Sequence, residues 1–474
     1  PVDIAAIKGR AAFSRILREA VRLIPRLPDR DQVLHVWNRR VTLRIKDVQE
    51  ALSRARRSGR PHNVARESFA MGLMELLAGR LIVEAGDASS TADIDPDDLR
   101  TWMSEIRDSV DARRAINLAW MPTQAPAFLR KLWSRPDLLA QANRKAGTPL
   151  SVEDLNLLYR AQEEPLTISD IPLIDELEEL LGTLDLASAQ KRRVEEQREK
   201  EERERANEAL KATGLGGGIV TADMLMRQTQ EAPSLRPLAE RARADRSWTY
   251  GHIVIDEAQD LSPMAWRCLL RRCPSRSMTV VGDLDQKRGH RRPHSWKQAL
   301  GPAARAFSEE FVLSISYRTP RALTRIAQAV LAQHGTPVLY PMEAVRDVPD
   351  CYQVSHTHKD TLKDCVSQVV STMEERLDRE EGEGKGRICV IVPDTQAQLW
   401  HADESGASAL DQRVSYLTAA GSKGLEFDSV VVVEPRDILD QGSGDLFVAL
   451  TRATHDLHAV TTTQLPRGME EWDA

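Results

Sequence analysis

Two adjacent acids, Asp256 and Glu257, close a short apolar run in HIVIDEAQD, residues 252–260. An aspartate at the end of a buried strand can hold Mg²⁺ through water, and the neighbouring glutamate can take a proton from an attacking water. Gln286 follows a second apolar run, in MTVVGDLDQ. A neutral glutamine donates and accepts together, so it can sense a γ-phosphate or position that water. Arg318 in SISYRTP and Arg452 in VALTRAT supply planar cations of the kind that stabilise charge developing on a transferred phosphoryl group. Such chemistry also needs a glycine-rich loop with a lysine to hold the phosphates, and no GxxxxGK[ST] occurs in the chain. GLGGGIV lacks the lysine and the hydroxyl, and GEGKGRI has the wrong spacing.

The elements that position these residues change in kind along the chain. From Trp248 onward the β-branched runs IVIDEA, MTVVGD, ICVIVPD and VVVVEP alternate with helical patterns such as PRALTRIAQAVLAQHG. This predicts an α/β fold, with a parallel sheet covered on both faces and ligands at the carboxyl ends of its strands. The first 186 residues read as mainly helical. Helices are expected over Ala5–Ile24, Glu67–Ile82, Leu99–Trp120 and Ala125–Ala142, and from Ser151, where SVED forms a variant capping box. Val33–Ile45 alternates around Asn38 and predicts a β-hairpin. Trp37, Trp102, Trp120 and Trp133 are expected as core anchors. The acidic stretch 86–98 reads as a solvated connection. The stretch 187–245 is rich in mixed charge, is broken by Gly216–Gly218, and reads as a linker or a segment ordered by a partner.

Composition narrows the class. Of 474 residues, 41% are hydrophobic and 29% charged, which predicts a globular cytoplasmic protein with no membrane-spanning run or leader pattern. Five cysteines lack CxxC spacing and read as reduced thiols without a metal. A net charge of −6 makes a protein partner a better first expectation than nucleic acid bound through its phosphates.

The order DEAQD, GDLDQ, SYRTP, GSKGLEFD, VALTRAT resembles the motor of superfamily 1 helicases of the UvrD/Rep type, as Walker B and motifs III to VI. The resemblance implies two RecA-like lobes, ATP or GTP with Mg²⁺, Asp256 as the metal carboxylate and Glu257 as the catalytic base. Gln286 would sense the γ-phosphate, and Arg318 and Arg452 would act as arginine fingers. Tyr317 would stack on the base, Glu426 would contact the ribose, and Gln259 and Gly424 would join the nucleotide-binding residues. Two departures matter. Roughly 95 residues separate Pro320 from Leu417, too few for the extra domain of DNA translocases, and about 250 mainly helical residues precede the Walker B strand. The motif V region also reads LTAAGSKGLEFD, without the usual histidine.

That distribution is similar to HelD, the bacterial helicase-like ATPase that binds RNA polymerase and in some relatives confers rifamycin tolerance. The phrases IPLIDELEELLG, GLEFDSVVVVEP and DLFVALTRATHDLHAV support it over a DNA helicase. The resemblance implies a clamp-contacting helical insertion over 1–186, inserted in the first lobe, and a primary-channel loop over 187–245, with Asp223 approaching the polymerase's catalytic metal. It further implies the rest of lobe 1A over 246–310 and lobe 2A over 311–474. The partner would be the polymerase core, at its clamp and primary channel, with nucleic acid displaced rather than bound. In that family the phosphate loop and an N-terminal coiled coil precede the point where this sequence starts. The segment 1–474 alone is therefore expected not to hydrolyse nucleotide.

Overall fold

The chain divides into two units, Ile7–Trp248 and Thr249–Ala474 with Pro1–Ala6. The structure is a computed structural model and describes residues 2–85, 94–147, 150–182, 240, 245, 247–289, 292–403 and 411–470. Asp223, nearly all of 187–245 and most of the acidic stretch 86–98 lie outside the described residues.

The described residues of the first unit are mainly helical, with one hairpin. Strands β1 (Gln32–Val36) and β2 (Arg39–Leu43) pair antiparallel, Val36 opposite Arg39, so Trp37 and Asn38 form the turn. A two-residue hairpin turn demands positive φ, and Trp37 adopts +54°. That geometry turns the indole outward to 79% exposure, so Trp37 is not the core anchor its composition suggested. Trp120 and Trp133 are buried, and Trp102 is half-buried.

Three of the long helices expected here are each two helices, and most of the breaks have a local cause. Gly9 lies in the gap between Val2–Lys8 and Phe13–Arg22. Ser109 is the C-cap of Pro96–Asp108 and the N-cap of Val110–Ala119, its side chain accepting from the Ala112 N–H. Pro136 opens Pro136–Lys145 and forces Arg135 out of the helical region, which ends Ala125–Ser134. The capping box at Ser151 and Asp154 is present. Among the described residues His62–Ala85 is the longest helix of the unit, and its Phe69, Leu73 and Leu77 pack with Leu34, Val41 and Trp120.

In the second unit β3 (Ile253–Ile255) and β4 (Met278–Val280) form a parallel pair. A second short parallel pair joins β5 (Ile315–Ser316) to β6 (Glu343–Ala344). The main sheet comprises β7 (Tyr352–His356), β8 (Ile388–Val392), β9 (Val414–Thr418), β10 (Phe427–Val433) and β11 (Ala453–Thr461). Its order is β7-β11-β10-β8-β9, and every pairing is parallel.

Both faces of this sheet are covered, and the two-residue period of a strand decides which residues go where. Ile388, Val390, Val392, Val431 and Val433 meet Val366, Val370 and Met373 of the helix Leu362–Glu380. Cys389, Ile391, Val430 and Val432 meet Ile326 and Val330 of Arg321–Gln333 and Leu446 and Leu450 of Ser443–Leu450. The fold is therefore α/β with a parallel sheet, consistent with a RecA-like lobe. The expectation of buried faces fails at β3 and β4, which form a sheet of their own, with Val254 70% exposed.

Candidate functional site

The site is built where β3 and β4 end. After Ile255 the chain turns sharply: Glu257 adopts φ +51°, ψ +38°, a left-handed conformation that costs a non-glycine residue energy. Its N–H donates to Asp256 Oδ1 at 2.8 Å. Asp256 Oδ2 has no partner among the described residues, and the side chain is exposed. Gln259 is 1% exposed and spans the two strand ends. Its Nε2 donates to Glu257 Oε2, and its Oε1 accepts from the Asp283 N–H at 3.1 Å. Gly282 makes this bridge possible, because a Cβ there would stand 2.3 Å from Gln259 Oε1.

The line of hydrogen bonds continues through Asp283. Its Oδ1 accepts from the Asp285 N–H at 2.9 Å and its Oδ2 from Gln286 Nε2 at 3.0 Å. Gln286 Oε1 in turn faces Arg452 Nη2 at 3.5 Å. Arg452 reaches back from the turn between the helix Ser443–Leu450 and β11, anchored by Nε to the Val448 carbonyl at 3.2 Å and Nη1 to the Leu425 carbonyl at 3.3 Å. Burial pulls the Arg452 pKa down, opposed by the charges of Glu257, Glu426 and Asp283. An arginine holds its charge through such a shift, so a half-buried cation faces both acidic strand ends.

Arg318 and Tyr317 stand at the margin. Arg318 pairs with Glu426, which holds its pKa above the usual value, and its guanidinium lies 5.4 Å from the Tyr317 ring centroid. Tyr317 is 66% exposed and offers an open ring face. Gly424 adopts φ +73° in the turn before Glu426. The structure thus joins Glu257, Gln259, Gln286 and Arg452 in one line. Arg318, Tyr317 and Glu426 form a separate cluster whose charges still act on Arg452.

Several residues here were not singled out by sequence. Asp260 receives Lys423 Nζ and lies 3.9 Å from Lys287 Nζ, tying the Walker B turn to motif V. Burial lowers the Lys287 pKa, Asp260 opposing and Lys423 adding to the shift. Arg288 pairs with both Asp394 and buried Asp445, and Arg292 with buried Asp285. Both buried aspartates have raised pKa values, from burial first. Their signal was present as KRGHRR directly after GDLDQ, but a basic run reads equally well as a solvated face.

No cluster of three metal-binding side chains occurs among the described residues. A hard cation at this site would rest on one or two carboxylates plus water and phosphate oxygens, which is how Mg²⁺ is usually held. The exposed Asp256 carboxylate with a free oxygen beside Glu257 fits that arrangement.

Two stretches match family profiles. Residues 137–287 match the UvrD/REP helicase N-terminal domain, and residues 347–461 match the viral superfamily 1 RNA helicase core domain. The chain thus carries UvrD/Rep-like superfamily 1 helicase domains, the domains of nucleoside triphosphate hydrolases. Comparison with curated proteins finds no match. Among solved structures, the C-terminal domain of a possible DNA helicase from Lactobacillus plantarum WCFS1 is 18% identical, over 33% of this chain and 92% of its own, with a TM-score of 0.22. Arterivirus nonstructural protein 10 (helicase) is 15% identical over 48% of this chain, with a TM-score of 0.28, and its complex with DNA is 17% identical over 45%, at 0.27. This chain spans 42% and 40% of those two arterivirus chains.

Proposed function

We propose that this chain is the hydrolytic and coupling part of a HelD-like factor that binds bacterial RNA polymerase core and uses ATP or GTP to remodel, release or recycle it. The observation that carries the nucleotide reading is the continuous line from Glu257 through Gln259, Asp283 and Gln286 to Arg452. In it a proton acceptor on one strand end is linked, through neutral amides and one carboxylate, to a half-buried cation on another element. Glu257 is the catalytic base and Gln286 the γ-phosphate sensor. Arg452 and Arg318 are the fingers, and Tyr317, Gly424 and Glu426 hold base and ribose. Asp256 holds Mg²⁺ through water, and the ion supplies charge neutralisation on the phosphates. The phosphate-holding loop is contributed from outside these residues.

Two features favour polymerase binding over the alternative, an ATP-dependent DNA helicase of UvrD/Rep type. Between Pro320 and Leu417 the described chain builds only β6, β7, β8, the start of β9 and the helices around them, with no additional domain. Ahead of β3 stands a separate, mainly helical unit of its own core. In the proposed assembly that unit contacts the clamp. The stretch 187–245, with Asp223, enters the primary channel and displaces nucleic acid, and this position also underlies any rifamycin tolerance.

The test is retention of core RNA polymerase from a bacterial lysate by the tagged complete protein, run beside a strand-separation assay on duplex DNA with the same protein, nucleotide and Mg²⁺. Retained polymerase without unwinding supports the reading. Unwinding without retention replaces it with the helicase alternative. A second measurement addresses chemistry: residues 1–474 should hydrolyse ATP or GTP no faster than their Glu257→Gln variant, and appreciable Mg²⁺-dependent turnover would refute the missing-loop reading.

A further inference from the structure

The helical unit holds a groove that its described residues leave open. The helices Ile45–Arg57 and His62–Ala85 run antiparallel, since Arg80 near the end of the second forks onto Asp47 near the start of the first, at 2.6 and 2.7 Å. Between them lies a cavity of about 450 Å³, floored by Ala51, Ala55 and Gly72. Gly72 is inside a helix, and a Cβ there would meet nothing within 4 Å. Glycine weakens a helix interior relative to alanine, and no described neighbour needs the missing side chain. A helix laid over the groove would use it, because small contact residues let two helix axes approach closely. The lining charges are asymmetric. Both acids are engaged, Asp47 by Arg80 and Glu50 by Lys46 at 3.8 Å. Arg54 and Arg60 have no side-chain partner among the described residues. Residues 7–85 around them hold more than twice as many lysines and arginines as acids, in a chain of net charge −6.

We propose that this groove takes an acidic amphipathic helix of a partner protein, with small or apolar residues over Gly72 and a carboxylate between Arg54 and Arg60. Unpaired guanidiniums at a groove's rim favour a carboxylate, which their planar fork meets with two hydrogen bonds. An extended strand is disfavoured, because both walls are helices whose backbone groups are spent internally and offer no edge. A small molecule is disfavoured as well. Its site would enclose most of its surface, whereas Arg54 and Arg60 are exposed. The lining runs from Asp47 to Ser58 on the first helix, about 16 Å or three turns, which sets the occupant's shortest length. This deepens the reading of the helical unit as the partner-binding part and rests on that reading for the partner's identity alone.

The probe is a displayed library of helical peptides with one randomised face, selected against the full chain. Enriched peptides should carry Asp or Glu beside small or apolar residues at three- and four-residue spacing. By fluorescence anisotropy, the tightest of them should bind Gly72→Phe roughly tenfold or more weaker than the parent. Arg54→Glu combined with Arg60→Glu should cost as much, and exchanging the peptide's acid for lysine should recover part of the loss. Gly72→Ala separates docking from folding, since it should raise the urea midpoint while weakening the peptide severalfold. Failure to enrich acidic helices, equal binding by the parent and Gly72→Phe, or displacement of the peptide by an equimolar single-stranded oligonucleotide would each overturn the proposal. Self-association of the chain that Gly72→Phe abolishes would also overturn it, by making a second copy the occupant. No readout involves polymerase or nucleotide turnover, so an empty groove and a failed polymerase capture are separate outcomes.

Discussion

At the scale of single residues, the site pairs an acid whose backbone is strained with a cation that is half-buried. The left-handed backbone of Glu257 persists because the turn is held by the Gln259 bridge and the N–H bond to Asp256. Glu257→Gln in the complete protein should lower turnover by about 10²–10⁴-fold, the usual worth of a general base, while nucleotide binding, read by fluorescence titration, stays within a fewfold. Arg452→Lys should cost about 10²–10³-fold in kcat, because lysine keeps the charge but loses the fork that meets Gln286, Val448 and Leu425 together. A pH effect belongs to this scale too. His62 is buried, and burial lowers its pKa to about 4 despite the bond to the Met121 carbonyl. Its other ring nitrogen faces the Trp120 N–H at 3.1 Å, so a second proton would point at a donor. The folded state thus binds fewer protons than the unfolded chain between roughly pH 4 and 6.5. Stability is full above that window and falls by on the order of 3 kcal/mol through it. Urea melts of the parent at pH 7 and pH 5 should differ, and His62→Gln should remove much of the difference.

At the scale of elements, local signals were legible and tertiary ones were not. The order of Asp256, Glu257, Gln286 and Arg452 along the chain can be read from short motifs, because each sits at the end of an apolar run. The bridging role of Gln259 and the Asp260–Lys423 pair cannot, since they depend on which strand ends meet. Periodicity carried the helix predictions straight through Ser109 and Arg135, because apolar spacing continues where a cap or a proline breaks the backbone. Apolar runs likewise do not say which strands share a sheet, so β3 and β4 were expected to be as buried as β8 and β10. Close packing supplies a test. Gly444 lets the helix Ser443–Leu450 lie against the Asp285–Lys287 turn, where a Cβ would come 2.1 Å from the Lys287 carbonyl oxygen. Gly444→Ala should therefore cost about 1–3 kcal/mol in urea unfolding of the chain and should also lower turnover of the complete protein, by moving Arg452 relative to Gln286. An unchanged unfolding midpoint would show that the contact carries no weight.

At the scale of the whole molecule, two cores of different character follow one another in sequence. The helical unit buries Phe69, Leu73, Leu77 and Trp120, and the α/β unit buries β8 and β10 on both faces. No helix among the described residues is long and apolar enough to cross a membrane. The proposed division of labour gives the helical unit the grip on polymerase and the α/β unit the nucleotide cycle. The measurement that tests this most directly is release of labelled core RNA polymerase from a DNA template by the complete protein, compared between the parent and Glu257→Gln with nucleotide and Mg²⁺ present. Fast release by the parent and retention of a polymerase–variant complex are predicted. Equal release by both would mean that hydrolysis at Glu257 is not the releasing step, and absence of polymerase from either complex would contradict the account as a whole.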